Sequence, residues 1–147
     1  MNDRIDAKLR QRRVFMVSKK KVIIKDIKKI LIDKKEILFA YIHGSFVTEE
    51  YFNDIDIGVY LKSLPSSPLE YELSLEAEFM DKIRGYIFDI RILNNAPLSF
   101  RYNVIRYGIL LFARDDDLRS EFQERTVINY LDFLPYRKRY LKEVLGD

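Results

Sequence analysis

Two aspartates separated by a single residue, Asp54 and Asp56, are the strongest chemical feature of this sequence. They begin an alternating segment, residues 54–61, whose pattern predicts a β-strand. Because side chains alternate across a strand, both carboxylates point to one face, about 6–7 Å apart along the backbone. Mg²⁺ commonly takes one or two carboxylates together with substrate phosphates. The pair therefore predicts a metal site for phosphate chemistry, and the simpler alternative is a polar strand edge in water.

A glycine and a serine, Gly44 and Ser45, directly follow the apolar segment 37–43. That segment is short, aromatic and β-branched, so it predicts a buried strand. Glycine allows unusual backbone angles and a close approach to a ligand, and exposed amides with a serine hydroxyl can hold phosphate oxygens. A Gly-Ser pair also ends many strands that bind nothing. Its meaning therefore depends on the aspartates that follow it.

A third acidic residue, Asp89, lies in the middle of the otherwise apolar segment 86–93. This segment predicts another strand, because it is rich in β-branched and aromatic residues. A carboxylate in such a strand is costly unless it has a partner or a cation. Two explanations stay open: Asp89 joins the metal site of the other two aspartates, or it pairs with Arg91, two positions later on the same face.

The remaining segments alternate between strand and helix patterns, which predicts an α+β (α/β-like) fold with a mixed sheet of about four strands flanked by helices. Residues 1–20 lack clean periodicity and are interpreted as a basic arm or a frayed helix, with a single domain over residues 21–147. The predicted elements are helix 21–35, strand 37–43, one helical turn within 46–53, strand 54–61, helix 69–84, strand 86–93, helix 97–107, strand 109–113 and a last helix after residue 115, with Pro135 as a candidate kink.

Composition and charge exclude several other functions. The 147 residues contain no cysteine and one histidine, His43, which excludes a thiol nucleophile, a disulfide framework and metal sites built on Cys or a His pair.

The net charge of +3 is unevenly distributed, because residues 1–35 contain 13 basic and 4 acidic side chains. That basic segment is either a solvated helix face or a dock for an acidic partner, and no motif indicates nucleic-acid recognition. No apolar run approaches the ~20 residues of a membrane span, so we expect a soluble, cytoplasmic protein.

The chemical features follow one another along the chain as Ile42-His-Gly-Ser45, Asp54-Ile-Asp56 and Phe88-Asp-Ile-Arg91. This ordered set resembles the nucleotidyltransferases of the polymerase-β superfamily. More narrowly, it is similar to the minimal nucleotidyltransferase (MNT) proteins that act as antitoxins beside HEPN-domain ribonuclease toxins. The segments 93–97 and 105–115 add to the resemblance, which spans roughly residues 22–145. It implies a polymerase-β-type nucleotidyltransferase fold.

The resemblance also implies a role for each site residue. Asp54 and Asp56 match the metal-binding pair that holds Mg²⁺ against the triphosphate, and Gly44 and Ser45 match the residues that cradle its β- and γ-phosphates. Asp89 matches the third carboxylate, which helps to hold the catalytic metal and activates the attacking hydroxyl. The implied reaction transfers AMP from ATP to a hydroxyl of a HEPN toxin, by resemblance a tyrosine. The implied assembly is a hetero-oligomer with the toxin, or a homodimer of this chain alone.

The loop after the Gly-Ser pair departs from the family pattern. Eight residues, 46–53, separate Ser45 from Asp54, whereas the family usually has about ten, beginning with Ala-Arg-Gly or similar. This loop has no basic residue, and Glu49 and Glu50 bring negative charge where a triphosphate would arrive. The alternative function is therefore a catalytically weakened or inactive MNT-fold antitoxin that neutralises its partner by binding alone. A weaker alternative is transfer to a small soluble hydroxyl acceptor, such as an aminoglycoside.

Overall fold

The chain folds into five helices and four strands in a computed structural model that describes the backbone of residues 2–146 and the side chains of residues 3–11 and 17–146. The elements are α1 (Asn2–Ile32), β1 (Ile37–His43), α2 (Ser45–Thr48), β2 (Asp54–Leu61), α3 (Pro68–Lys82), β3 (Ile87–Ile92), α4 (Leu98–Tyr107), β4 (Ile109–Ala113) and α5 (Asp116–Leu145). The predicted mixed sheet flanked by helices is confirmed, as is the single helical turn after Gly44.

The four strands form one sheet in the order β3-β2-β1-β4. β1 is antiparallel to both of its neighbours, β2 and β4, whereas β2 and β3 are parallel. The parallel pair needs a crossover connection, and α3 provides it. As a result, β2 and β3 both begin at the same end of the sheet, where β1 ends and where the acidic residues lie.

The sheet is covered on both faces, so β1 alternates between two cores. Ala40 and Ile42 pack in the larger core with Ile27 of α1 and Phe79 of α3. Phe39 and its alternating neighbours face the other way, into a smaller core beneath α4 and α5, whose buried members are Phe39, Tyr41, Leu93 and Val104. A strand buried on both faces reads as a continuous apolar run, which explains the composition of residues 37–43.

The first helix is longer than the sequence pattern predicted, and the last helix is continuous. α1 already begins at Asn2 and continues without a break to Ile32, so the proposed boundary at residue 20 lies inside one helix. α5 continues through Pro135 to Leu145 as a single element. The division into an arm and a domain stays a prediction, and its end points, Met1 and Asp147, lie outside the described residues. Within residues 2–146, no helix combines the length and the apolar content needed to cross a bilayer.

Two glutamates of α3 occupy the outer edge of the sheet. The backbone N–H groups of Ile90 and Ile92 in the edge strand β3 donate to Glu76 Oε1 and Glu72 Oε2, each at 2.9 Å. These carboxylates satisfy amides that would otherwise be open to strand addition. They also fix β3, the strand that carries Asp89, against α3.

Removing one of these acceptors is expected to destabilise the fold. Glu76→Ala leaves the Ile90 N–H without its partner, which costs about 1–2 kcal/mol of unfolding free energy. Glu76→Gln keeps an acceptor oxygen and should lose less than half of that. Urea unfolding followed by circular dichroism measures both, with the exposed Glu70→Ala on the same helix as the control. Equal midpoints for Glu76→Ala and Glu70→Ala would contradict this role.

Candidate nucleotidyl-transfer site

One row of polar side chains crosses three neighbouring strands at the acidic end of the sheet. His43 of β1 pairs with Asp56 of β2, and Asp56 pairs with Asp89 of β3. Directly paired residues on adjacent strands share a face, with Cβ atoms roughly 5 Å apart. Asp54 lies one pleat earlier on β2 and points to the same side. The register thus brings the three aspartates singled out in the sequence to one surface.

Gly44 lies directly against the carboxylate of Asp56. Its φ of 74° and ψ of −157° belong to a conformation that residues with a side chain rarely adopt. A Cβ built at this position would lie 2.1 Å from Asp56 Oδ2, which is a collision. The absence of a side chain at residue 44 therefore lets the turn before Ser45 approach the aspartate, as a site that holds phosphate beside a metal-binding carboxylate requires.

The three carboxylates repel one another. Burial raises the pKa of Asp56 above its usual value, and the negative charges of Asp89 and Asp54 raise it further, while Arg91 opposes them. The raised pKa means that nearby positive charge does not fully compensate the negative charge of Asp56. A bound cation would supply that compensation.

Mg²⁺ fits this donor set only together with a substrate. Among the described residues, no three His, Asp or Glu side chains come together as a preformed metal group. Mg²⁺ does not require such a cage, because it binds through one or two carboxylates plus phosphate oxygens and water. Asp54 and Asp56 on one face, with the Gly44 turn against the second of them, suit a cation that arrives with a triphosphate.

The structure shows the ion pair between Asp89 and Arg91, and it places Asp89 beside Asp56, while a part for Asp89 in a metal site stays a prediction. Its Oδ1 lies 3.6 Å from Nε of Arg91, and the two side chains are 47% and 59% exposed, so this is a weak, solvent-screened ion pair. Asp89 also stands next to Asp56 in the parallel register. The carboxylate is therefore held near the other acids while it stays accessible to an incoming group.

His43 is a neutral member of the row. Burial lowers its pKa to about 4, against the opposing influence of Asp89 and with help from Arg91. Its ring packs edge-to-face on Phe100 at the start of α4, with ring centroids 5.4 Å apart. At neutral pH the imidazole adds no charge to the site, and the contact with Phe100 fixes the end of β1 just before Gly44.

Lys20 is a neighbour of the site that the sequence patterns did not indicate. Its ammonium group donates a hydrogen bond to the backbone carbonyl of Glu49, at the end of α2. The same group lies 5.3 Å from the ring centroid of Phe46 and 5.6 Å from that of Phe52. The loop after Ser45 contains no basic residue, but α1 supplies one from 29 positions earlier in the chain. No local signal could have revealed this contact, because it depends on how α1 packs.

The sheet order, the Gly-Ser turn and the row of aspartates together define a nucleotidyltransferase fold. Comparison with known families agrees: the sequence pattern described as "Polymerase beta, Nucleotidyltransferase" matches residues 25–117, more than half of the chain. The chain belongs to this family, which confirms the resemblance found in the sequence. The comparison with curated proteins found no match.

Several solved structures have a similar fold. One is a complex of a tri-AMPylated HEPN toxin from Shewanella oneidensis with its MNT antitoxin (TM-score 0.70, 20% identity, 86% of this chain and 98% of that chain covered). Another is the toxin–antitoxin complex MntA–HepT (TM-score 0.69, 19% identity, 85% and 98% covered). A third is a toxin–antitoxin complex with AMP-PNP (TM-score 0.70, 21% identity, 83% and 98% covered). At these identities the likeness establishes the fold.

Proposed function

We propose that this protein is an antitoxin that transfers AMP from ATP to a hydroxyl group, by resemblance that of a tyrosine, on a HEPN ribonuclease toxin, with Mg²⁺ as cofactor. The observation that carries the proposal is the contact between the Gly44 turn and Asp56, in register with Asp89. The fold comparisons support the choice of partner and reaction, because one similar complex contains a tri-AMPylated HEPN toxin and another contains an ATP analogue.

The proposed reaction is a displacement at the α-phosphorus of ATP. The acceptor hydroxyl oxygen forms a new bond to this phosphorus, the bond to the bridging oxygen breaks, and pyrophosphate leaves. Mg²⁺, when bound, neutralises charge on the triphosphate and on the leaving group. Asp54 and Asp56 would hold the cation, the amides and hydroxyl of Gly44-Ser45 would hold the terminal phosphates, and a carboxylate oxygen of Asp89 would accept the hydroxyl proton. The added phosphate charge and bulk would silence the toxin.

A transfer assay with the partner toxin tests this proposal. The protein, ATP and Mg²⁺ are incubated with the HEPN toxin, and the toxin is then analysed by mass spectrometry. The expected result is one or more AMP groups on a single tyrosine, lost when that tyrosine is changed to phenylalanine. An unmodified toxin, under conditions where the two proteins form a complex and ATP binds, would contradict it.

A second candidate function, neutralisation by binding alone, is favoured by the second half of α5. Every residue from 131 to 146 is exposed, although this stretch contains many large apolar side chains. Leu131, Leu134, Leu141 and Leu145 recur at i, i+3, i+10 and i+14, so they form one stripe along the helix. An exposed apolar stripe of this length marks a protein-binding surface.

Neutralisation by binding alone requires no catalysis. The triple variant Asp54→Asn/Asp56→Asn/Asp89→Asn should therefore still neutralise the toxin. If this variant bound the toxin without neutralising it, neutralisation by binding alone would be excluded.

The α5 stripe is expected to be essential for the complex. The double variant Leu134→Glu/Leu141→Glu places two charges in its centre and should weaken toxin binding by about 100-fold or more. Binding of ATP with Mg²⁺ should stay unchanged. Leu69→Glu/Leu73→Glu is the control, because these two leucines of α3 are also exposed, even more so than Leu134 and Leu141. Surface plasmon resonance measures the affinity, and equal affinities of both double variants would assign the interface elsewhere.

A further inference from the structure

The loop between Ser45 and Asp54 is held from two sides. Phe46 is buried in the larger core and packs on Phe52, with ring centroids 4.7 Å apart, and Phe52 stacks on Tyr86 at 5.7 Å. On its outer side the loop contacts Lys20 of α1. The Lys20 ammonium group donates a hydrogen bond to the carbonyl of Glu49 and lies over the rings of Phe46 and Phe52. The ammonium group thus contacts both ends of the segment 46–52.

The turn that Lys20 reaches is too short to be rigid by itself. α2 has four residues, and its hydrogen bonds run from the N–H groups of Val47 and Thr48 to the carbonyl of Gly44 and from the N–H of Glu49 to that of Ser45. Isolated helical turns are unstable in water because their nucleation is unfavourable. The last carbonyl groups of a helix lack partners within it, and a lysine can supply the missing donor. Lys20 donates such a hydrogen bond to the carbonyl of Glu49.

Charge gives Lys20 a second effect on the same loop. Glu49 and Glu50 are exposed, and neither has a basic neighbour within the segment 46–53. A cation at the Glu49 carbonyl offsets this negative charge beside the turn that begins at Gly44. The effect is local, because a hydrogen bond fixes the position of the ammonium group and its side chain is partly buried.

We propose that Lys20 is a positioning residue for nucleotide binding: by holding α2 and the loop after it, it preorganises the Gly44-Ser45 turn before ATP arrives. The predicted effect of Lys20 on ATP binding rests on the proposed function. The predicted effect of Lys20 on the order of the loop does not depend on it. When the binding-competent conformation of a site is populated only in part, the apparent dissociation constant rises by that factor. Once ATP is bound, the turn is ordered in either case. Loss of the ammonium group should therefore weaken binding and leave the rate of the bound complex nearly unchanged.

The test compares Lys20→Met, Lys20→Arg and Lys21→Met. Lys20→Met keeps the stem and loses the ammonium group, Lys20→Arg keeps a donor and a cation, and Lys21→Met removes an exposed charge from the adjacent position. For Lys20→Met we expect the dissociation constant and the KM for ATP to rise by about tenfold, with kcat within twofold of wild type. Lys20→Arg should restore most of the affinity, and Lys21→Met should behave like wild type. Equal KM values for Lys20→Met and Lys21→Met would overturn the proposal.

Hydrogen exchange of the nucleotide-free proteins separates this inference from the proposed function. The amides of Val47, Thr48 and Glu49 should exchange about tenfold faster in Lys20→Met than in wild type, whereas amides of β1 should not change. Unchanged exchange in α2 would overturn the proposal even if ATP binds. If the wild-type protein binds no nucleotide, the proposed function fails, and exchange in α2 alone still decides whether Lys20 positions the loop.

Discussion

Transfer of AMP to the partner is expected to fall by at least about 10³-fold in the double variant Asp54→Asn/Asp56→Asn. The two amides cannot replace the negative charges that hold a divalent cation, and metal stabilisation of the triphosphate contributes several kcal/mol to such reactions. Because a change of 1.4 kcal/mol is a factor of ten, the loss spans several decades. ATP labelled at its α-phosphate provides the measurement, with the labelled toxin separated by electrophoresis.

The fold should tolerate this substitution. Asp54 is exposed, and burial together with neighbouring acids raises the pKa of Asp56, so removing these charges relieves repulsion. The thermal midpoint should thus equal or exceed that of wild type. Asp3→Asn/Asp81→Asn serves as the control, because it removes the same charge from exposed positions of α1 and α3. Transfer by the Asp54/Asp56 variant within tenfold of this control would refute the assigned role of the pair.

Gly44→Ala is expected to lower the affinity for ATP with Mg²⁺ by about 100-fold. The new Cβ would lie 2.1 Å from Asp56 Oδ2, so either the carboxylate or the turn must move. The φ of 74° adds backbone strain, which costs about 1–3 kcal/mol for a residue with a side chain. Calorimetric titration measures the affinity, and thermal unfolding measures the cost to the fold.

Gly85→Ala separates the collision from the strain. Gly85 also has a positive φ, 97°, but a Cβ at that position meets nothing within 4 Å. This variant should lose stability from strain alone and bind ATP within twofold of wild type. If Gly44→Ala and Gly85→Ala bound ATP equally well, the contact between the Gly44 turn and Asp56 would have no part in nucleotide binding.

The strands could be predicted because each has a local signature. Residues 37–43 are continuously apolar since β1 is buried on both faces, and residues 54–61 alternate since β2 places acids on one face at its start. The full length of α1 could not be predicted this way. The described side chains near its N-terminus, residues 3–11, are exposed, so they carry no stripe that faces a core of this chain, and the same holds for residues 131–146 of α5.

Some features of the site could be predicted from local sequence patterns, and others could not. The shared face of Asp54 and Asp56 follows from strand geometry alone. The pairing of Asp56 with Asp89 depends on the parallel register of β2 and β3, which α3 and its two glutamates fix through long-range contacts. The approach of Lys20 to Glu49 likewise exists only once α1 is packed. The residue types in the sequence indicated the chemistry of the site. Which of these residues lie next to one another depends on tertiary contacts.

Calorimetric titration of ATP into the purified protein, with and without Mg²⁺, tests the central claim most directly, because it needs no partner. If Gly44, Ser45 and the aspartate row form a metal-dependent nucleotide site, the wild-type protein should bind ATP only when Mg²⁺ is present. Asp54→Asn/Asp56→Asn should not bind ATP under either condition. No binding at millimolar ATP to well-folded protein, or binding that is equal in both proteins and independent of Mg²⁺, would contradict it.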